Sequence, residues 1–160
     1  MTVHWPTSDP DPVRRLHALA AGVRGARVTE RVIDAPLATV WPLVADLEGE
    51  FGRIVTDMAR VRVVGRDGDR LEAVARSRFG PRARFDGVLR PGWCWLQSRF
   101  LLIGIAATEA PDGLTTTVAF TGGVRLPGRA ALLPLGVRAE GRRSLARLAE
   151  RTAAAARPEG

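Results

Sequence analysis

The amino-acid sequence predicts an α+β domain in which an antiparallel sheet of about seven strands precedes one long C-terminal helix. Between residues 58 and 124, successive segments alternate apolar and polar residues, as half-buried strands do. Short turn sequences such as Asp67-Gly68-Asp69 and Pro91-Gly92 separate these segments, which is typical of an antiparallel meander. The end of the chain instead places apolar residues, including Leu145 and Leu148, at helical spacing.

The N-terminal part is expected to be an addition to this domain. Residues 1–12 are rich in Pro and Asp and predict a loose arm. Residues 13–23 carry apolar side chains at helical spacing, which predicts a short amphipathic helix. We therefore divide the chain into an arm with a short helix, residues 1–25, and a main domain, residues 26–156.

The main domain begins with a predicted strand and a predicted helix. The strand starts near residue 26 and ends at Asp34-Ala35-Pro36, because Pro36 suits the first turn of a following helix. An apolar stripe over residues 37–47 predicts that helix, and Pro42 within it should bend it. Residues 48–52 predict a turn or a short second helix.

Six further strands and the long helix complete the predicted order. The strands are expected at residues 58–66, 70–78, 82–90, 93–100, 101–110 and 114–124, and the helix at residues 129–156. Gly136 and Gly141 interrupt the helix where alanine would be favoured, and small residues recur along the strands. These features suggest an apolar pocket between sheet and helix, although small residues also allow the layers to pack closely.

The composition excludes several kinds of catalysis. All 24 basic residues are Arg, and the absence of Lys and Tyr excludes Schiff-base lysines, P-loop lysines and a tyrosine general acid. Cys94 is the only cysteine, so neither an internal disulfide nor a thiolate zinc cluster can form. The chain has only two histidines, His4 and His17, both near the N-terminus, and this number excludes a three-histidine metal site. We therefore expect no cofactor.

The formal net charge of +7 raises the question of nucleic-acid binding. The arginines are scattered, however, and are adjacent only at Arg14-Arg15 and Arg142-Arg143, so we do not expect nucleic acid as a partner. No apolar run reaches the ~20 residues of a transmembrane segment, and the N-terminus lacks the pattern of a signal peptide. A cytoplasmic location is therefore expected.

Several short motifs resemble the START-like, or SRPBCC, superfamily, which includes polyketide cyclase/dehydrase and lipid-transport proteins. Its first strand and helix are matched by Val32-Ile33-Asp34-Ala35-Pro36, Val40-Trp41 and Ala45-Asp46-Leu47. The turn before its last strand and its terminal helix are matched by Asp112-Gly113-Leu114-Thr115-Thr116 and Leu145-Ala146-Arg147-Leu148. The resemblance covers about residues 26–156, and the order of the predicted elements agrees with it.

The resemblance implies the helix-grip fold, in which a curved sheet wraps around the long C-terminal helix. Such proteins enclose a cavity for lipids, sterols, polyketides, quinones or other hydrophobic ligands. Some are aromatase/cyclase or dehydratase enzymes, whereas many are carriers. The extra N-terminal helix departs from the minimal pattern and is suited to cover a cavity mouth or to mediate self-association as a homodimer.

The predicted strand over residues 93–100 has two different faces. One face carries Trp93, Trp95, Gln97 and Arg99, and the other carries Cys94, Leu96 and Phe100. Alternation leaves open which of them points inward. If the tryptophans do, Gln97 and Arg99 become polar anchors in an aromatic pocket. In the other case, Cys94 is a small core residue.

The candidate site follows from these alternatives and from the neighbouring strands and helix. The residues expected to bind the ligand are Trp93, Trp95, Gln97, Arg99, Phe85, Ile103, Ile105, Phe120, Val137 and Gly141. If there is catalysis, Arg99 would stabilise an oxyanion, and Glu109 would act as a base if burial raises its pKa.

Three functions remain open at this level. The first is binding of a hydrophobic small molecule, such as a lipid, a polyketide or a quinone-like compound, in a cavity between the sheet and the C-terminal helix. The second is polyketide cyclase/dehydratase-like acid–base catalysis, which the small number of acid–base groups makes the weaker hypothesis. The third is an arginine-rich surface module for a membrane or a nucleic acid.

Overall fold

The computed structural model of the chain describes residues 10–55, 58–77, 82–124 and 137–157. Within these ranges the chain forms seven strands and four helices. In chain order they are α1 (Pro12–Ala21), β1 (Val28–Ile33), α2 (Leu37–Ala45), α3 (Phe51–Ile54), β2 (Met58–Asp67), β3 (Arg70–Ser77), β4 (Arg82–Arg90), β5 (Trp93–Gln97), β6 (Leu101–Glu109), β7 (Thr116–Val124) and α4 (Val137–Ala155).

The seven strands form one antiparallel sheet with the order β1-β7-β6-β5-β4-β3-β2. Strands β2 to β7 follow one another as a meander, whereas β1 pairs with the last strand, β7. Gly68 and Gly92 adopt positive φ values of 59° and 77°, which permits the tight turns that join β2 to β3 and β4 to β5. The predicted α+β class is confirmed, and the sheet with its C-terminal helix is the helix-grip fold.

The main core lies between the sheet and α4, and we call this side of the sheet the α4 face. The sheet contributes Phe85, Leu96 and Ile105, and α4 contributes Leu145 and Leu148, all almost fully buried. Helices α2 and α3 also pack against α4 and enlarge this core. Because side chains alternate along a strand, the residues between these positions point to the other side.

The opposite side of the sheet, which we call the α1 face, carries α1 across β6 and β7. A separate apolar cluster joins Val13 and Leu16 of this helix to Trp93, Ala106 and Ala119 of the sheet. The expectation that the extra helix covers a mouth of the space between sheet and α4 is therefore wrong, because α1 packs on the other side.

Strand β5 is shorter than the sequence predicts, ending at Gln97 rather than at residue 100. The Ser98 hydroxyl oxygen accepts the backbone N–H groups of Phe100 and Leu101, at 3.2 and 2.9 Å. Serine side chains commonly end strands in this way, because they replace the hydrogen bonds of the ladder.

The helix α4 begins at Val137, and the preceding part of the predicted helix, residues 129–136, lies outside the described residues. Helix α2 contains Pro42 in its interior, as the sequence predicts. None of the described helices is both long and apolar enough to cross a bilayer.

Candidate functional site

The orientation of β5 resolves the alternative that the sequence leaves open. Cys94 and Leu96 are fully buried in the main core on the α4 face. Trp93 belongs to the cluster under α1, and Trp95 packs against that cluster. The tryptophan face therefore points away from α4. Of the two alternatives, the structure has the one in which Leu96 points inward.

The two tryptophans act as a platform for α1. Their rings stack with centroids 6.1 Å apart and an interplanar angle of 6°, and the guanidinium of Arg15 lies 5.1 Å from the centre of the Trp93 ring. A Cβ added at Gly104 would lie 3.0 Å from both Leu16 Cδ1 and Trp95 Cε3, so glycine allows the close approach of helix and ring. The tryptophans are thus placed to hold α1, outside any cavity between sheet and α4.

Four of the predicted ligand-binding residues do meet on the α4 face. Phe85, Ile103, Ile105 and Phe120 are buried, and their strands bring them into one apolar cluster with the inner side of α4. Strand register places Ile105 directly opposite Phe120. The structure therefore assembles the aliphatic and aromatic part of the predicted site, without its tryptophans.

Gly141 does not leave space beneath the helix, and the expectation that it does so is wrong. An added Cβ would lie 2.8 Å from Thr29 Oγ1 and 3.3 Å from Phe120 Cδ1, so α4 already touches the sheet here. The glycine allows close packing rather than a cavity. The remaining predicted helix residue, Val137, begins α4, and its side chain lies outside the described part of the structure.

The polar candidates Gln97, Arg99 and Glu109 are all exposed and lie apart from the α4-face cluster. Gln97 lies on the α1 face, and Arg99 lies in the β5–β6 turn with its guanidinium 5.6 Å from the Phe100 ring centre. Glu109 accepts the backbone N–H of Leu37 at 3.0 Å, so it satisfies the first turn of α2. This placement contradicts the polar-anchor and buried-base interpretations of these residues.

Arg99 and Glu109 are also too far apart to share a reacting atom. They lie at opposite ends of β6, whose nine residues span about 27 Å. A general base and an oxyanion-stabilising group must both reach the same substrate within hydrogen-bond distance. The two residues therefore do not form one catalytic site.

Besides the indole N–H groups of Trp41 and Trp93, the buried polar side-chain groups of the described residues are hydroxyls and one thiol. Burial raises the pKa of the Cys94 thiol to about 12, which makes it unreactive near neutral pH. The buried Thr116 donates to the Ala35 carbonyl oxygen at 2.8 Å, and Thr152 to that of Leu148 at 2.7 Å. Among the described residues no group of His, Cys, Asp or Glu is arranged to hold a metal ion.

A recess of about 390 Å³ opens where the α2–α3 connection passes over β2, β3 and β4. We call it the Leu71 recess. Its apolar lining comes from Leu47, Val63, Leu71 and Leu89, which all contribute to the main core. Asp46, Glu48 and Arg66 stand among its polar lining residues.

The sequence pattern did not identify this recess. Alternation marks Leu71 and Leu89 as inward-facing, yet the opening depends on where the α2–α3 connection passes. One observable signal was the polar sequence of residues 48–50 next to an apolar stripe, which marked a break between two helices. A second recess, of about 580 Å³, lies on the α1 face and includes Trp95 and Gln97 in its lining.

Comparison with solved structures confirms the fold. A protein from Thermus thermophilus aligns with a TM-score of 0.58 and 21% identity, over 82% of this chain and 99% of that chain. An uncharacterised protein from Bacillus thuringiensis aligns with a TM-score of 0.60 and 11% identity, over 80% and 98% of the two chains. At these identities the likeness shows the fold alone, which agrees with the resemblance to the START-like superfamily, and the function depends on the site.

The Zhui aromatase/cyclase from a Streptomyces species also aligns, over 81% of this chain and 88% of that chain, with 19% identity. Its TM-score of 0.47 is too low for its activity to be carried over to this chain. No family model matches the sequence, and no curated protein matches it.

Proposed function

We propose that this protein binds a hydrophobic small molecule, such as a lipid, a polyketide or a quinone-like compound, on the α4 face of the sheet, where the α2–α3 connection passes over β2, β3 and β4. The observation that carries the proposal is the Leu71 recess. Its volume of about 390 Å³ falls within the range of small-molecule pockets, and its floor is formed by side chains of the main core. A ligand entering there would replace water on the half-buried Val63 and on the small exposed parts of Leu47, Leu71 and Leu89.

The polar rim of the recess suits a ligand with one polar end. Glu48 is held in place because its carboxylate accepts the backbone N–H of Val63 at 2.8 Å. Asp46 accepts the N–H of Gly49 at 3.0 Å, which fixes the α2–α3 connection above the opening. The apolar part of the ligand would then lie against Val63, Leu71 and Leu89, which separate the recess from the main core.

Binding is favoured over cyclase/dehydratase-like catalysis by the chemistry of the α4 face. Within the described part of the chain, the main core contains no carboxylate, histidine or arginine side chain. Acid–base catalysis on a polyketide requires a proton acceptor and an oxyanion partner near the substrate. Hydrophobic binding requires neither group.

The test compares two adjacent valines of β2. Val63 lines the Leu71 recess, whereas the side chain of Val64 is exposed at 51%. Val63→Phe should fill the recess and lower the enhancement of anilinonaphthalene sulfonate fluorescence several-fold, and Val64→Phe should leave it unchanged. Native mass spectrometry after incubation with a lipophilic extract should show a retained compound in the wild type and in Val64→Phe.

Two outcomes would overturn the proposal. One is a wild-type protein that neither enhances the dye fluorescence nor retains any compound from the extract. The other is equal dye binding and retention in the two variants, because the recess would then have no part in binding. Circular dichroism of both variants establishes that they are folded, since Val63→Phe changes a partly buried position.

A further inference from the structure

Five arginines lie on the α1 face of β2, β3 and β4, beyond the edge of α1. The strand register places Arg60 opposite Arg76, and Arg76 opposite Arg82, so that three arginines form one row across the three strands. In the next row, Arg62 and Arg84 flank Val74. We call these five residues, Arg60, Arg62, Arg76, Arg82 and Arg84, the arginine grid.

All five side chains of the arginine grid are exposed. Neighbouring strands lie about 4.8 Å apart, and alternate residues of one strand about 7 Å apart, so the five arginines leave the sheet within a small area. Like charges directly opposite each other on a sheet are destabilising. In the described residues, Arg84 is the member of the grid that forms an ion pair, with Glu72 at 2.6 Å. The grid therefore concentrates positive charge on one surface of the folded protein.

An exposed aromatic side chain lies at the same end of the sheet. Phe100, in the β5–β6 turn, is 48% exposed. The turn follows β5, which pairs with β4, the strand that carries Arg82 and Arg84. Val124, at the end of β7, is 45% exposed but pairs with Leu101 on the α4 face, away from the grid. This end of the sheet thus carries both the basic rows and an aromatic side chain in water.

We propose that the arginine grid is a docking surface for an anionic lipid bilayer, with Phe100 entering the interfacial region. Clustered arginines attract anionic headgroups, and adjacent exposed apolar residues add the burial that retains a protein at a membrane surface. A single-stranded nucleic acid is the less suitable partner, because its successive bases stack on several aromatic side chains, and among the described residues at this end of the sheet Phe100 is the one exposed aromatic. The tryptophans Trp93 and Trp95 instead stack on each other beside α1.

The grid is separate from the Leu71 recess, so this proposal does not depend on ligand binding. It is tested by sedimentation with vesicles of phosphatidylcholine alone and of an equal mixture of phosphatidylcholine and phosphatidylglycerol. The wild type should bind the anionic vesicles, should not bind the neutral ones, and should be released as salt is added.

The variant Arg60→Gln/Arg76→Gln/Arg82→Gln removes three charges from the grid. Each arginine near an anionic surface contributes about fivefold, so the triple variant should bind the anionic vesicles about 100-fold more weakly. The matched control is Arg31→Gln/Arg142→Gln/Arg157→Gln, which removes three exposed charges from β1 and from α4 and its C-terminal end. Because both variants have the same net charge, a nonspecific charge effect would weaken them equally.

Phe100→Ser tests the apolar contribution and should weaken vesicle binding several-fold without a change in the salt dependence. Equal losses in the two triple variants would overturn the proposal, as would the absence of binding to anionic vesicles. So would tighter binding of a single-stranded oligonucleotide than of the vesicles, with that binding lost in the grid variant, since the grid would then serve nucleic acid. Thermal unfolding of the grid variant should show equal or higher stability, because repulsion has been removed.

Discussion

Gly141 of α4 lies so close to Thr29 of β1 that an added Cβ would be 2.8 Å from Thr29 Oγ1. The same added Cβ would lie 3.1 Å from the Cβ of Thr29. Because the side chain of Thr29 is β-branched, it has little freedom to move aside. The contact fixes the depth at which the helix rests on the edge strand and on β7. A glycine within a helix is thus explained by tertiary packing against the sheet.

The contact predicts an unusual effect of Gly141→Ala. At an exposed helix position this change stabilises a protein by about 1 kcal/mol, because alanine favours the helix. Here we expect a net loss of about 1 kcal/mol in the free energy of unfolding, since the new methyl group must displace Thr29 or the helix. Urea denaturation measures it, and combining the change with Thr29→Ala should recover part of the loss. A stabilised Gly141→Ala variant would show that the helix has room to move.

The packing of α1 on Trp93 and Trp95 predicts that two leucines of this helix contribute differently to the free energy of unfolding. Leu16 is fully buried, and Leu16→Ala should lower the free energy of unfolding by about 2–4 kcal/mol. Leu19 is 43% exposed, and Leu19→Ala should change that free energy by less than about 0.5 kcal/mol. Denaturation followed by tryptophan fluorescence tests this pair, because Trp93 lies under the helix. Equal effects of the two changes would contradict the observed packing of α1.

Glu50 links α3 to α4 through Arg151. The guanidinium of Arg151 donates Nε–H to Glu50 Oε2 and Nη2–H to Oε1, the latter at 2.9 Å. This hydrogen bonding, with the positive charges of Arg151 and Arg53, holds the pKa of Glu50 below its ordinary value of 4.5. The resulting stabilisation is fully present above that value and is lost as the pH falls through the lower pKa of the folded state.

The Glu50→Gln variant should therefore be less stable than the wild type at neutral pH, and the difference should shrink as the pH falls below 4.5. Denaturant midpoints measured at neutral pH and through this acid range test this. Glu150→Gln, at an exposed position of α4, is the control and should not alter the acid response. A difference between wild type and Glu50→Gln that stays constant with pH would show that the ion pair does not stabilise the fold.

The inward orientation of β5 predicts that Cys94 is protected from modification. Its thiol is buried, and its pKa is raised to about 12. A maleimide reagent should leave the native protein unlabelled over hours and should label it rapidly in guanidinium chloride. Since Cys94 is the only cysteine, the denatured sample gives the full extent of reaction. Rapid labelling of the native protein would mean that β5 presents this side to solvent.

The element order was predictable because each strand of the meander has a local signature. Alternating residues mark its length, and Gly or Pro marks its end, so β2, β4 and the hairpin at Gly68 follow from the sequence alone. The orientation of β5 was not predictable, since Trp93 and Trp95 on one face are as apolar as Cys94 and Leu96 on the other. The position of α1, which is remote in sequence, settles it.

The candidate site was less predictable than the fold. Phe85 and Phe120 could be placed on the inner face by alternation, and the structure has them there. The sequence suggests Glu109 as a candidate base, but in the structure Glu109 lies at the N-terminus of α2, where it accepts a backbone N–H. Such contacts join residues that are far apart in sequence, so local patterns contain no information about them.

The pairing of β1 with β7 has a consequence for how the chain folds during synthesis. Strands β2 to β7 can form hairpins one after another as they leave the ribosome, because each strand from β3 onward pairs with the strand before it. The strand β1 is made first but has no partner until β7 appears, and α4 emerges later still. Contacts between distant parts of a chain form slowly. For most of translation the nascent chain therefore holds an unpaired first strand, which a chaperone could recognise.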